Sequence, residues 1–140
     1  MATAIQKRYE TATAARSAFK SVLDASERGR TVTVVRDDYV AAIVAADRLQ
    51  DYFARTVSPH AKAFFEDGLW VVLLENRPFV SEGASLEDAV ADLIVSLREY
   101  AEDWEERLQS APNHAANWGF VQLITLSTDD QLANWLNAAS

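Results

Sequence analysis

Cysteine is absent from the chain, so neither disulfides nor thiolate metal sites can contribute, and a reducing compartment suits it. Histidine is scarce. The two present, His60 and His114, stand near Pro59 and Pro112 in loop-like context, share no metal-ligand spacing, and read as surface or turn residues rather than the base of a nucleophilic triad. Glycine occurs four times, isolated at turns, which leaves no glycine-rich phosphate loop. Long apolar runs are missing as well: the longest, "YVAAIVAA", falls far short of the roughly 20 residues a membrane helix needs, and the basic start of the chain has no apolar signal-peptide core. Carboxylates are plentiful, but the sequence places most of them on the polar face of one helix, where solvation is the ordinary reading; a pair of catalytic acids would need an apolar cleft to separate their pKa values. The expectation is a cytoplasmic protein that is not an enzyme, with no metal, no cofactor and no membrane partner.

What is present is a folding composition, 49% hydrophobic and 24% charged over 140 residues, enough for one ordinary domain or two very small ones. Charge is unevenly spread. Residues 1–60 hold nine Lys/Arg against seven Asp/Glu, a net +2, whereas residues 61–140 hold four against fourteen, a net −10. Such asymmetry suits a polyanion as partner of the first part and a basic protein as partner of the second, the plain alternative being a solvated acidic surface.

From Ala12 to Arg28, Ala12, Ala15, Phe19, Val22 and Leu23 recur at helical spacing, with Gly29 where a C-terminal cap belongs. "TVTVV" (31–35) and "VAAIVA" (40–45) predict two strands joined at Asp37-Asp38. Asp47 can cap a short helix to about Arg55 with Leu49, Tyr52 and Phe53 on its apolar face. "TVSPH" (56–60) reads as a joint, because Pro59 forces its predecessor out of helical geometry. Beyond it, "AKAFFED" and "LWVVLLE" predict a hairpin turning at Asp67-Gly68, and "PFVSE" a third strand. Ser85, three residues before Asp88, opens a long helix in which Leu86, Val90, Leu93, Leu97, Tyr100, Trp104 and Leu108 step by three or four; Pro112 marks its end. Residues 113–126 satisfy both a helical and an alternating pattern, and the helical one is adopted. A last helix, capped at Ser127 or Thr128, buries Leu132, Trp135 and Leu136. The fold class expected is α+β: an α-β-β-α segment, then a small sheet with a long amphipathic helix and C-terminal helices.

"AARSAFKSVLDASERGRTVTVVRDDYVAAIVAADRLQDYF" (14–53) resembles the N-terminal domain of Phd/YefM-type (prevent-host-death) antitoxins. The likeness lies in Ala15-Arg16 at the head of the first helix, Phe19 three residues on, the Glu27-to-Gly29 helix end, the strand closing in Val34-Val35-Arg36, and the second strand running into a short helix. Family members commonly carry Gly and a basic residue after that arginine; here stand Asp37 and Asp38, which lower the local positive potential. "DGLWVVLLE" and "SEGASLEDAVADLIVSLREY" make the second half similar to HicB-like antitoxin domains, small and partially RNase H-like, without a working active site.

The resemblance implies a dimerisation and DNA-binding domain over residues 1–57 and an acidic toxin-binding domain over residues 61–140. Two copies of the first domain would pair over one shared core, placing a two-fold axis on a palindromic operator. Arg16 and Arg36 would approach phosphates, Lys20 would lie beside Arg16, and Lys7, Arg8 and Arg30 would add backbone contacts. In the second half, Glu102 and Glu105 supply charge complementarity, and Trp118 and Trp135, read as exposed aromatics, suit interface anchors, whereas Trp70 and Trp104 sit on the apolar periodicities and suit the core. The function implied is a type II antitoxin that neutralises a cognate toxin, a basic ribonuclease, and represses its own operon, with higher oligomers when toxin is bound. HicB-like halves serve HicA-type partners, while Phd/YefM antitoxins block the toxin with a disordered tail that folded-looking sequence replaces here. The competing readings are a small-molecule-binding or degenerate RNase H-like regulatory domain without DNA binding, with the 113–126 segment lining its pocket, and a plain dimeric scaffold.

Overall fold

Residues 7–137 are described by a computed structural model, an α+β arrangement as the sequence predicts, in which the strands form two three-stranded sheets. The chain divides between Leu49 and Gln50 into two compact units. The division falls inside helix α3 (Ala46–Thr56), ahead of the 56–60 segment read as a joint. Its cause is local: from Gln50 onward the helix is committed to the second unit. The buried Gln50 amide donates to Ser127 Oγ at 3.1 Å and accepts from Gln131 Nε2 at 3.4 Å, and the buried Phe53 ring meets Trp118 edge-on at 5.5 Å.

The first unit begins with a strand the sequence reading missed, β1 (Arg8–Tyr9), which pairs in parallel with β2 (Val32–Arg36). Two residues are too few for an alternating pattern to show. The expected hairpin follows, β2 antiparallel to β3 (Tyr39–Ile43), with Arg36 opposite Tyr39. The first helix is not continuous, as its periodicity predicts, but broken at Ala18 into α1 (Ala12–Ser17) and α2 (Phe19–Glu27). The Ala18 N–H is shared between the carbonyls of Ala14 and Ala15, at 3.2 and 3.1 Å. Alanine is the best helix former, so tertiary packing has overridden propensity. The buried residues are the small ones: Ala15, Val22 and Ala25 close on Tyr9 and Val32, with Ala18, Val34 and Ile43 against them. Phe19 and Leu23, expected on the inner stripe, are instead 54% and 47% exposed. At the end of α2, Gly29 takes φ +83° while its N–H donates to Ser26 O (2.9 Å) and Arg30 N–H donates to Ala25 O (3.0 Å), a Schellman cap that ends the helix where the sequence placed its end.

In the second unit β4 (Ala61–Glu66), β5 (Leu69–Leu74) and β6 (Phe79–Gly83) form an antiparallel meander, and α4 (Leu86–Asp103) packs across β5 and β6. Asp67 and Gly68 both have positive φ, as the tight Asp-Gly turn requires. Ser85 Oγ accepts from Asp88 N at 3.0 Å, and Leu93 and Leu97 are fully buried, with Val90 and Trp104 nearly so. The last turn of that helix, Trp104–Leu108, is widened to π geometry, closed by Gln109 N–H to Trp104 O at 3.1 Å. The ambiguous segment is a 3-10 turn (Ala115–Asn117) followed by α5 (Trp118–Leu126), whose Phe120, Val121, Leu123 and Ile124 are all buried. Then α6 (Asp129–Asn137) opens with a reciprocal box: Gln131 N–H donates to Thr128 Oγ1, and Thr128 N–H donates to Gln131 Oε1. Arg98 ties the α5–α6 corner to α4, donating to the carbonyls of Ile124 and Ser127 and pairing with Asp129 at 2.7 Å.

Two expectations on α3 are corrected. Asp47 lies inside the first turn rather than at the cap, accepting from Arg48 N–H while Ala45 O accepts the first helical bonds. Tyr52 is 54% exposed; the inner stripe runs through Gln50 and Phe53, because the buried amide pairing displaces the aromatic from it.

Candidate functional site

In the first unit the cations expected to meet phosphates are all exposed but do not form one cluster. Arg36 closes β2 beside the hairpin turn, its guanidinium 6.0 Å from the Tyr39 ring centroid. Because β1 runs parallel to β2, the chain leaves β1 toward the Arg36 end of β2 and then enters α1, but Arg16, expected at the head of the first helix, stands in the last turn of α1. Lys20 is already engaged: Asp24 lies 2.8 Å away, and that hydrogen bond, reinforced by the carboxylate charge, raises the ammonium pKa. Arg8 pairs with Glu10 at 2.7 Å, and the Lys7 carbonyl accepts from Thr33 N–H. Arg30 stands at the opposite end of β2 from Arg36.

Around Arg30 the fold assembles what the sequence reading missed. The Arg48 guanidinium packs over Gly29, with Nη2 2.9 Å from where a Cβ would sit, so Arg28, Arg30 and Arg48 gather at the C-terminal end of α2. The helix dipole favours cations there, and none of the three has an ion-pair partner among the described residues. Only the contact between Arg48 and a glycine nineteen positions earlier, roughly five helical turns in sequence terms, creates the group, and no short motif announces it.

The same unit leaves large apolar side chains in water. Phe19, Leu23, Tyr39, Val40 and Val44 are all exposed, and the face of the hairpin carrying Val35 and Val40 lies opposite the one that buries Val32 and Val34.

In the second unit Trp118 is 51% exposed at the head of α5, and Glu102 and Glu105 are exposed on α4 and its π turn. Trp135 is corrected: it is only 5% exposed and its indole N–H donates to Val57 O at 2.7 Å, so it is an interior tether and not a free anchor. Trp104 is buried, donating to His114 O at 2.8 Å, and Trp70 is half-buried against Phe65. Also missed was the outer face of the sheet, where Phe64 and Val80 are exposed and Leu69, Val71 and Leu73 half-buried, flanked by Lys62, Glu66 and Glu82. The unbroken run "LWVVLL" reads as apolar on both sides and hides which side is open.

A cleft of about 850 Å³ opens on the second unit, walled by Thr56–Ser58, His60, the Asn76–Phe79 corner, Tyr100 and residues of the 113–120 segment. Arg77 reaches into it. Its guanidinium stacks on the Phe120 ring at 4.1 Å and donates through Nη1 to Ser58 O at 3.1 Å; burial pulls its pKa below the ordinary arginine value, with Tyr100 acting in the opposite direction. Opposite, the Tyr100 hydroxyl lies 2.8 Å from His114 Nδ1 and accepts from Asn117 Nδ2 at 2.8 Å. Among the described residues no three His, Asp or Glu side chains converge as a metal cage, and no helix is long and apolar enough to cross a membrane.

A family model named PHD-like and described as the antitoxin of a RelE/RelB toxin-antitoxin system matches residues 6–136, and thus spans both units. The fold is similar to the crystal structure, at 1.80 Å resolution, of an antitoxin part of a proposed toxin/antitoxin system from Syntrophomonas wolfei subsp. wolfei: TM-score 0.74, 23% identity, 91% of this chain and 94% of that one covered. No curated protein matches.

Proposed function

The chain belongs to the PHD-like family of toxin-antitoxin antitoxins, and from that premise we propose a two-part mechanism: the second unit masks a basic toxin, a ribonuclease, while the first pairs with a second copy and grips operator DNA to repress its own operon. The observation that carries this reading is the composition of the first unit's surface, on which uncovered Phe19, Leu23, Tyr39, Val40 and Val44 accompany exposed arginines. Large apolar side chains left in water by so small a unit favour a shared interior. The Phd/YefM-like segment supports a two-fold pairing of hairpins and helices, and the HicB-like second half supports a folded toxin-binding surface in place of a disordered tail. Domain roles follow the resemblance, which gives residues 1–57 to pairing and DNA and residues 61–140 to the toxin, with the boundary moved to the division between Leu49 and Gln50.

Arg16 and Arg36 are the proposed phosphate contacts, with Lys7, Arg8, Lys20 and Arg30 subordinate; Arg28 and Arg48 join Arg30 as a second basic group. On the toxin side, exposed Trp118 offers an aromatic anchor, and the exposed Glu102 and Glu105 add negative charge suited to a basic partner. The outer sheet face around Val80, apolar at its centre with Lys62, Glu66 and Glu82 at its rim, is a second candidate surface.

Fluorescence anisotropy with DNA from just upstream of the gene tests the repressor arm. Binding should weaken steeply between low and moderate salt, and Arg16→Ala and Arg36→Ala should each weaken it further, by roughly threefold to tenfold. Unchanged anisotropy in both variants removes the site assignment. Co-expression with the adjacent open reading frame tests the other arm: a neighbour that is neither toxic alone nor retained by this chain removes the toxin-masking claim. If the neighbour is retained, Trp118→Ala and Val80→Arg decide which surface holds it.

A further inference from the structure

We propose that the cleft around Arg77 is a binding site for a small planar carboxylate, independent of DNA and of the toxin. A cleft of about 850 Å³ is the size of an ordinary small-molecule site. Its lining is the electrostatic exception of the second unit. Residues 61–140 contain fourteen Asp and Glu, yet none lines this cleft, which instead receives Arg77, His60 and His114 together with the side-chain amides of Asn76, Asn113 and Asn117. Amides and imidazoles can donate to an anion's oxygens from several directions.

Arg77 supplies the directional element. It is half-buried, and among the described residues it has no carboxylate partner; its protein contacts are the Phe120 ring and one carbonyl, Ser58 O, reached by Nη1. A guanidinium withdrawn from water in this way regains stabilisation from a charge-assisted fork with a carboxylate, a geometry that lysine cannot reproduce. The stacking on Phe120 holds the plane of the fork, so a planar acid meets it without reorganisation. Three aromatic side chains form part of the remaining wall. Phe79, Tyr100 and Phe120 lie 5.5 to 6.0 Å apart centroid to centroid, and the first two are half-buried, which provides faces for the ring of the ligand. The Tyr100 hydroxyl, held between His114 Nδ1 and Asn117 Nδ2, fixes the polar side of the cleft.

The test is a titration of the full chain, followed by the side-chain NMR signals of Arg77 Nε–H and the Asn76, Asn113 and Asn117 amides, with three probes. Benzoate carries ring and anion, acetate the anion alone, and benzylamine the ring with the opposite charge. Benzoate should shift these signals saturably, acetate more weakly, and benzylamine not at all. Arg77→Gln should weaken benzoate binding by about tenfold, and Arg77→Lys, which keeps the charge but loses the fork, by less. Should Arg77→Gln unfold, His60→Gly, which adopts the left-handed backbone at φ +48° without strain, removes one donor at the mouth and should weaken binding about threefold. Benzoate leaving the cleft signals unmoved, benzylamine moving them equally, or affinity unaltered in the folded variants would each overturn the proposal. A failure of DNA or toxin binding would leave this site untouched.

Discussion

Three non-glycine residues, Asp37, His60 and Asp67, carry φ angles of +55°, +48° and +52°, a region in which an L side chain crowds the following carbonyl. At Asp67 the strain fits the turn, since Gly68 follows with φ +81° and the pair closes a tight hairpin. At Asp37 it does not, because Asp38 has no positive φ and the first turn position takes the conformation glycine prefers. The same carboxylate stands next to Arg36, where it weakens the field a phosphate would feel. Asp37→Gly should therefore raise the unfolding free energy by about 0.5–1 kcal/mol in chemical denaturation and tighten DNA binding at low salt. Asp38→Gly supplies the control: it removes an equal charge without relieving a positive φ, so it should tighten DNA binding without the gain in stability. Equal stabilisation by both would show that charge, not backbone conformation, governs the turn.

Helices with strong signatures were legible because their determinants are local. Ser85 before Asp88, the leucine stripe and the Asp67-Gly68 hairpin each express a backbone requirement in neighbouring residues, and so does the Gly29 cap. The break at Ala18, the burial of Gln50 in preference to Tyr52 and the withdrawal of Trp135 onto Val57 O depend instead on segments far apart in the chain, and no window of sequence contains both partners. The candidate site divides the same way. Arg16 and Arg36 could be named from their places in the helix and strand, whereas the approach of Arg48 to Gly29 and the acid-free lining around Arg77 exist only after folding. Gly83 shows how tightly elements can be joined by a residue whose role is silent in sequence. It ends β6 against the first turn of α4, and a Cβ there would lie 2.6 Å from Ala89 N and 2.8 Å from Asp88 Cβ. Backbone atoms cannot step aside as a flexible side chain can. Gly83→Ala should cost about 2–4 kcal/mol, read as a lowered thermal midpoint, while Gly29→Ala, which meets only the mobile end of Arg48, should cost about 1 kcal/mol through its positive φ.

At the scale of the whole molecule, the proposed pairing of first units makes a claim in which two effects oppose each other and can be told apart. Val40 is 49% exposed on the hairpin face opposite the core, and burying the remaining half of such a side chain in a shared interior is worth about 0.7–1.5 kcal/mol. Val40→Lys removes that gain twice in a symmetric dimer and brings two like charges together, yet it adds a cation to a surface meant to meet a polyanion. If DNA were held by electrostatics alone on single chains, the variant would bind at least as tightly as its parent. If affinity depends on two units presenting their arginines in fixed register, the variant should sediment as a monomer at concentrations where the parent is dimeric and lose DNA affinity by tenfold or more despite its extra charge. Its salt dependence should flatten as well, because roughly half the phosphate contacts per complex would be gone, whereas Arg16→Ala in an intact dimer should lower the slope by about two contacts. A Val40→Lys chain that stays dimeric, or a monomer that binds DNA undiminished, would separate pairing from DNA recognition and leave the apolar surface of the first unit for some other partner.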